Sequence, residues 1–352
     1  MGTRMTEKLG VAVVGAGYWG PNLARNFHYS PHWRLEAICD LDVDRAQRLA
    51  EKFSVPAVFD VGQVLADPRI DAVAIATPAR THHPIAMAAI AAGKHVVVEK
   101  PLADSVGLAE TMTEAARDAG VVLMTDHTFC YTPAMLKARE LVDSGELGDI
   151  LYIDSVRINL GLVQPDVDVF WDLAPHDLSI MDFLLPGGLR PLAVGAIGAD
   201  PLNTGKSCVG YLSMDLPGGA IGHVHVNWLS PTKIRQVVVG GSRRTLVWDD
   251  LNPQQRLSVY DRGVDIMSRS LENRTTANIS YRIGDTYAPA LEEREALGAM
   301  VAEFAGAIRE NREPRTGGAA GIRVLDVLEA AQRSLASGRR EAMRIAERAA
   351  AA

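Results

Sequence analysis

The sequence predicts an α/β fold in two parts: a doubly wound parallel sheet first, then a C-terminal α/β domain with an open, mainly antiparallel sheet. Three observations predict it. Up to about residue 126, short β-like runs alternate with Ala- and Leu-rich helical ones, as parallel strands joined by crossover helices do. The apolar run Val11-Ala12-Val13-Val14 feeds straight into Gly15-Ala16-Gly17-Tyr18-Trp19-Gly20, a strand passing through a glycine-rich turn. After Thr128 the texture changes to β-like runs separated by Pro217-Gly218-Gly219 and Gly240-Gly241-Ser242, the turn signals of antiparallel strands.

In the first part, strands are expected at 11–14, 35–39, 72–76, 95–98 and 121–124, with helices at 21–29, 43–53, 84–92 and 106–119. A helix at 133–144 then leads to a strand at 150–160 and a short helix from Asp172. Strands follow at 192–197, 208–216, 220–228, 234–240, 245–249 and 255–260, and helices at 292–310 and 321–337 close the chain. At 352 residues two domains are the natural expectation. Their expected bounds are 1–126 and 127–290, with helices of 291–352 packing back on the first domain and an alanine-rich tail that frays.

Composition narrows the function. Hydrophobic residues at 47% and charged ones at 22% are ordinary for a globular chain, and a net charge of −7 without a basic run argues against nucleic acid. Cys39, Cys130 and Cys208 are far apart, which argues against a disulfide framework or zinc site and fits a reducing cytoplasm. No stretch approaches the about 18 apolar residues of a membrane span, and the N-terminus lacks a signal-peptide core. Residues 1–6 match the loose myristoylation pattern, but no basic patch supplies a second anchor.

The glycine run carries the first chemistry. Gly15 permits the tight turn, Gly17 lets backbone approach a diphosphate, and Gly20 lets the next helix pack on its strand. That helix would aim its free N–H groups and positive dipole end at the phosphates. Twenty residues past Gly20, the second apolar run ends on Asp40, whose carboxylate would accept ribose hydroxyls and repel a 2′-phosphate. Together these predict a dinucleotide site with NAD favoured over NADP; Arg45 nearby reads as a solvated helix charge. Ligands of such sheets bind outside the carboxyl ends of the strands, so Thr77-Pro78, Glu99-Lys100-Pro101 and Asp126-His127 are expected to converge there.

Two further groups are candidates for catalysis. Lys100 precedes a proline, which pushes it from helical geometry and makes a cis bond accessible, so Lys100-Pro101 reads as a fixed turn aiming the ammonium at the coenzyme. In Asp172-Leu173-Ala174-Pro175-His176, a helix opening at Asp172 would hold Pro175 in its first turn and put carboxylate and imidazole on one face. Such a pair can handle a proton near neutral pH. Asp177 reads as ordinary helix-start charge. His223 and His225 share a strand face without a third ligand, so they read as sheet surface or interface rather than a metal site. Lys233, Arg235, Arg243 and Arg244 could meet a diphosphate, and Trp171 and Trp228 could stack on a sugar or pack inside.

Taken together, Gly15 to Gly20, Asp40, Ala76-Thr77-Pro78 followed by His82, Glu99-Lys100-Pro101, and Asp172 with His176 resemble one family over nearly the whole chain. This is the glucose–fructose oxidoreductase, inositol dehydrogenase and rhizopine-catabolism (Gfo/Idh/MocA) family. The resemblance implies an N-terminal Rossmann domain, an open C-terminal sheet forming the subunit interface of a homodimer or homotetramer, and hydride transfer between a nicotinamide and a carbinol carbon. By position it makes Lys100 the group on the reacting oxygen, His176 the acid/base and Asp172 a holder of substrate or histidine. It also puts Tyr18, Trp19, Thr77, Pro78, His82 and Glu99 beside the coenzyme.

The segments Asp126-His127-Thr128-Phe129, Val156 to Gly161, Trp171 to Leu178 and Asn227 to Pro231 are similar to a surface-polysaccharide and amino-sugar subgroup. That implies a nucleotide-linked sugar met by Lys100, His127, Phe129, Asn159, Trp171, Asp172 and His176. The alternatives are a free sugar, a sugar phosphate or an inositol, and a keto-sugar reductase running in reverse. A non-catalytic NAD sensor would have no need of Lys100, Asp172 and His176 together.

Overall fold

The computed structural model describes residues 7–164, 166–267 and 278–343. The first six residues and the alanine-rich tail, on which two expectations fell, lie outside them. The chain divides into two compact units, Met1–Thr132 with Glu293–Glu329, and Pro133–Glu292 with Ala330–Ala352.

The first unit holds β1 (Leu9–Val14), α1 (Gly20–Tyr29), β2 (Trp33–Cys39), α2 (Val43–Phe53), β3 (Ala57–Val58), α3 (Val61–Ala66), β4 (Ala72–Ile75), α4 (His82–Ala91), β5 (His95–Glu99), α5 (Val106–Ala119) and β6 (Leu123–Asp126). The strands form a parallel sheet in the order β3-β2-β1-β4-β5-β6. This is the dinucleotide-binding order, whose direction reverses between β1 and β4. The central strands are apolar throughout, with Val11, Val13, Val73 and Val98 fully buried, because helices cover both faces of such a sheet. β3 and α3 escape the sequence pattern because two residues and six residues are too short to show a period. The sixth strand begins at Leu123, later than the expected 121, and runs on to Asp126.

α8 (Ala296–Glu310) completes this unit. Phe304 stacks on Trp33 at 5.2 Å, Phe27 meets Trp33 edge-on at 5.2 Å, and Trp33 Nε1 donates to the Val301 carbonyl at 2.7 Å. A fully buried tryptophan thus keeps its polar atom satisfied.

The second unit contains α6 (Pro133–Asp143), β7 (Ile150–Leu160), α7 (Val169–Leu184), β8 (Ala193–Ala199), β9 (Val209–Asp215), β10 (Ile221–Asn227), β11 (Leu229–Gly241), β12 (Thr245–Asp249), β13 (Leu257–Met267) and β14 (Asn278–Tyr287). α9 (Gly318–Ser337) begins in the first unit and ends in the second, followed by β15 (Glu341–Ala342). Nine strands order as β14-β13-β12-β11-β7-β10-β9-β8-β15, antiparallel except for β7 with β10. Gly222, Val224 and Val226 of β10 are buried on the face that α7 covers, while His223 and His225 alternate with them on the other. Tyr211 stacks on His225 at 4.3 Å.

The structure corrects α7. It begins at Val169, not Asp172, because the Asp168 carboxylate caps it, accepting the N–H groups of Phe170 and Trp171 at 3.0 Å each. Pro175 therefore lies inside the helix rather than in its first turn, where it removes the N–H that would reach the Trp171 carbonyl.

Candidate functional site

In the first unit, the glycine turn is built by close backbone approaches. Gly15 has φ +102°, and a Cβ there would lie 2.5 Å from the Ala76 carbonyl oxygen. A Cβ on Gly20 would fall 2.0 Å from the Gly15 oxygen, so both positions exclude any larger residue. Gly17 differs: a Cβ there would meet nothing nearer than Arg45 Nη1 at 3.9 Å. Its lack of a side chain leaves open space beside the N-terminus of α1, the room a diphosphate needs. Tyr18 is exposed and Trp19 half-buried.

Asp40 closes the far side of this turn. Its Oδ2 accepts the Ala16 N–H at 2.7 Å and its Oδ1 the Asp42 N–H at 2.9 Å. The carboxylate is thereby fixed with lone pairs to spare, a set that fits ribose hydroxyls. Arg45, a half-exposed helix charge, lies 3.9 Å from Asp40 and 3.2 Å from Asp42.

The ends of β4, β5 and β6 adjoin, as their positions in sequence require. After β4, the Thr81 hydroxyl donates to the Thr77 hydroxyl at 2.7 Å, and Pro78 is exposed. Buried His82 has Nε2 2.8 Å from the Thr77 carbonyl and Nδ1 2.8 Å from the Pro101 carbonyl, so its ring ties the β4 loop to the β5 turn. Burial lowers its pKa. The Lys100–Pro101 peptide bond is cis.

Glu99 of β5 pairs in register with Asp126 of β6. Glu99 is pushed up to about 8, by burial first and then by the Asp126 charge. Asp126 is raised as well, chiefly by burial, and accepts hydrogen bonds from Trp19 Nε1 at 2.8 Å and from the Thr128 hydroxyl. Next to it, His127 is 1% exposed, and neither ring nitrogen meets a hydrogen-bond partner among the described residues. Burial, then Lys100, push His127 down to about 3, so it is a neutral imidazole. Phe129 is half-buried in the following turn.

The second unit gathers the other candidates. On α7, Asp172 and His176 are one helical turn apart and half-buried. Asp172 Oδ2 accepts Trp228 Nε1 at 2.9 Å. Trp228 is 1% exposed, so it is packed support rather than a stacking surface. Gly161 donates its N–H to the Trp228 carbonyl at 2.8 Å, and a Cβ on it would lie 3.0 Å from Asn159 Nδ2 and 3.2 Å from Trp228 Cδ1. Asn159, Trp228 and Asp172 are therefore neighbours, with half-buried Trp171 beside Asp172 in the chain. Of the basic residues, Arg235 pairs with Asp250 at 2.6 Å and Arg244 with Glu146.

Sequence reasoning misread one residue. Asp177 is not helix-start charge: buried in α7, it holds Arg157 of β7 through Nε at 2.7 Å and Nη2 at 3.1 Å, and accepts the Ser155 hydroxyl at 2.7 Å. Period offered the signal, since Arg157 and Ser155 share the covered face of β7. Asp126 lies at the strand end where its position in sequence put it, but its bond to Trp19 spans 107 positions and has no local signature. Among the described residues, no cluster of three His, Cys, Asp or Glu side chains is set to hold a metal, and no helix is long and apolar enough to cross a membrane.

Comparison with known proteins bears on both units. The family model described as "Oxidoreductase family, NAD-binding Rossmann fold" matches residues 9–127, and the GFO/IDH/MocA C-terminal domain matches residues 135–247. The chain is 28% identical to UDP-N-acetylglucosamine 3-dehydrogenase of Acidithiobacillus ferrooxidans, over 89% of this chain and 93% of that one. It is 29% identical to scyllo-inositol 2-dehydrogenase (NAD(+)) of Bacillus subtilis, over 67% and 72%. Among solved structures, GenD2 from gentamicin A biosynthesis, in complex with NAD, superposes with a TM-score of 0.81 at 28% identity, covering 98% of this chain and 99% of that one. The chain is an NAD-binding oxidoreductase of the Gfo/Idh/MocA family.

Proposed function

We propose that this oxidoreductase oxidises a carbinol carbon of a sugar, most specifically a nucleotide-linked sugar, to the ketone. The observation that carries the reading is Lys100 following the last residue of β5, in a chain whose α7 holds a carboxylate and an imidazole one turn apart. NAD supplies the hydride acceptor. His176 takes the hydroxyl proton, and the Lys100 ammonium stabilises the developing alkoxide. Asp172, oriented by Trp228, holds substrate or His176. Asn159, Trp171, His127 and Phe129 complete the substrate contacts. The similarity to UDP-N-acetylglucosamine 3-dehydrogenase supports a nucleotide sugar over an inositol, its match covering more of both chains.

Ile197, Tyr211 and His225 align across β8, β9 and β10 on the face opposite the one α7 covers, a surface suited to a homodimer or homotetramer. Cys39, Cys130 and Cys208 are buried thiols outside any disulfide, which fits a reducing cytoplasm. Incubation with NAD and a panel of nucleotide sugars, followed by reduced-nicotinamide absorbance, tests the activity. Lys100→Met should cut turnover by about 10²-fold or more while NAD binding persists. Wild-type rates in that variant overturn the mechanism.

A further inference from the structure

At the carboxyl ends of β5 and β6, the parallel register puts Glu99 beside Asp126 on the same side of the sheet. Asp126 is buried and receives two donors, the Trp19 indole and the Thr128 hydroxyl, the contacts an ionised carboxylate accepts. Half-buried Glu99 accepts the backbone N–H of Lys100. Two carboxyl groups side by side in this setting do not both ionise cheaply, which favours a pair that keeps one proton. The charged and titratable groups around it are Lys100, which favours ionisation, neutral His127, and His82, whose ring is turned to the Thr77 and Pro101 carbonyls.

We propose that Glu99 and Asp126 share a proton which is released when oxidised coenzyme binds, so that the protein distinguishes NAD+ from NADH by charge. This rests on the NAD-binding reading. In a sheet of this strand order the two halves of a dinucleotide lie over the two halves of the sheet. The glycine turn after β1 and Asp40 after β2 take the adenosine side, which leaves the nicotinamide over the ends of β4, β5 and β6. The oxidised ring is a cation and the reduced ring is neutral. A cation beside the pair favours its fully ionised form; a neutral ring does not. The Trp19 bond makes Asp126 a positioning residue too, tying the glycine turn to the same pair.

The test is a set of fluorescence and calorimetric titrations of the full chain with NAD+ and with NADH between pH 6 and 9. The two coenzymes share the adenosine diphosphate, so their difference isolates the nicotinamide. The NAD+ Kd should fall by up to about tenfold per pH unit up to a point near 8, while the NADH Kd stays level. Calorimetry in buffers of different ionisation enthalpy should read proton release on NAD+ binding alone. Glu99→Gln should level the NAD+ slope, and Asp126→Asn should move its inflection to lower pH. Parallel pH dependence of the two coenzymes, or an unchanged slope in Glu99→Gln, overturns the proposal. Failure to bind either coenzyme at any pH would instead overturn the NAD-binding reading.

Discussion

Removing the Asp177 carboxylate is the perturbation whose cost the structure defines best. Its side chain is 1% exposed, and that of Arg157 is 4% exposed. The carboxylate accepts two bonds from the guanidinium and one from Ser155. Asp177→Ala leaves a desolvated guanidinium without its counter-charge, a change that costs about 3–5 kcal/mol. For a unit of this size, about 2–4 °C per kcal/mol gives a fall of roughly 6–20 °C in the melting midpoint. Differential scanning calorimetry reads it, fitted with one transition per unit because two-state behaviour is not assumed for the whole chain. The double variant Arg157→Met/Asp177→Leu removes both charges and should recover most of the loss. Because the pair pins α7 to β7 beside His176, Asp177→Ala should also lower turnover of the folded fraction. A shift under about 2 °C, or a double variant as unstable as the single one, would show that the buried pair does not hold α7 to β7 in this way.

Three further outcomes follow from the geometry. Gly17→Ala meets no protein atom within 3.9 Å, so unfolding free energy should change by less than about 1 kcal/mol while the NAD Kd rises at least about tenfold; equal Kd values would contradict the diphosphate assignment. Gly210→Ala sets a Cβ 2.0 Å from Phe170 Cζ, and this rigid ring between α7 and β9 should cost about 1–3 kcal/mol in urea unfolding. The third concerns pH. His127 stays neutral when folded but protonates near 6.5 when unfolded, so its contribution is complete above that pH and is lost towards about 3. Glu99 has the opposite sign: its contribution is complete below its ordinary 4.5 and is lost as pH rises through about 8. In urea midpoints measured against pH, His127→Gln should flatten the acid limb and Glu99→Gln the alkaline one, each by up to about 1.4 kcal/mol per pH unit. Unchanged limbs would show that these groups are not the ones titrating.

Features that depend on near neighbours in the chain were legible from the residues alone. Apolar runs and crossover helices spelled out the parallel sheet, because period and turn chemistry act within a few residues. The glycine turn, Asp40 and the Lys100–Pro101 turn were legible for the same reason, each motif carrying its own local geometry. Where local signals were weak or misleading, the reading slipped. β3 is two residues long, and α7 begins at Val169 because Asp168, with no apolar period before it, supplies the cap. How charge is arranged around the candidate residues depends on the folded chain. Asp177 with Arg157, Asp126 with Trp19, and Glu99 with Asp126 are set by strand register and helix packing between segments 20 or more positions apart. Whether a carboxyl is buried, paired or shares a proton depends on the solvent and charges that folding leaves around it, and no stretch of adjacent residues encodes that environment.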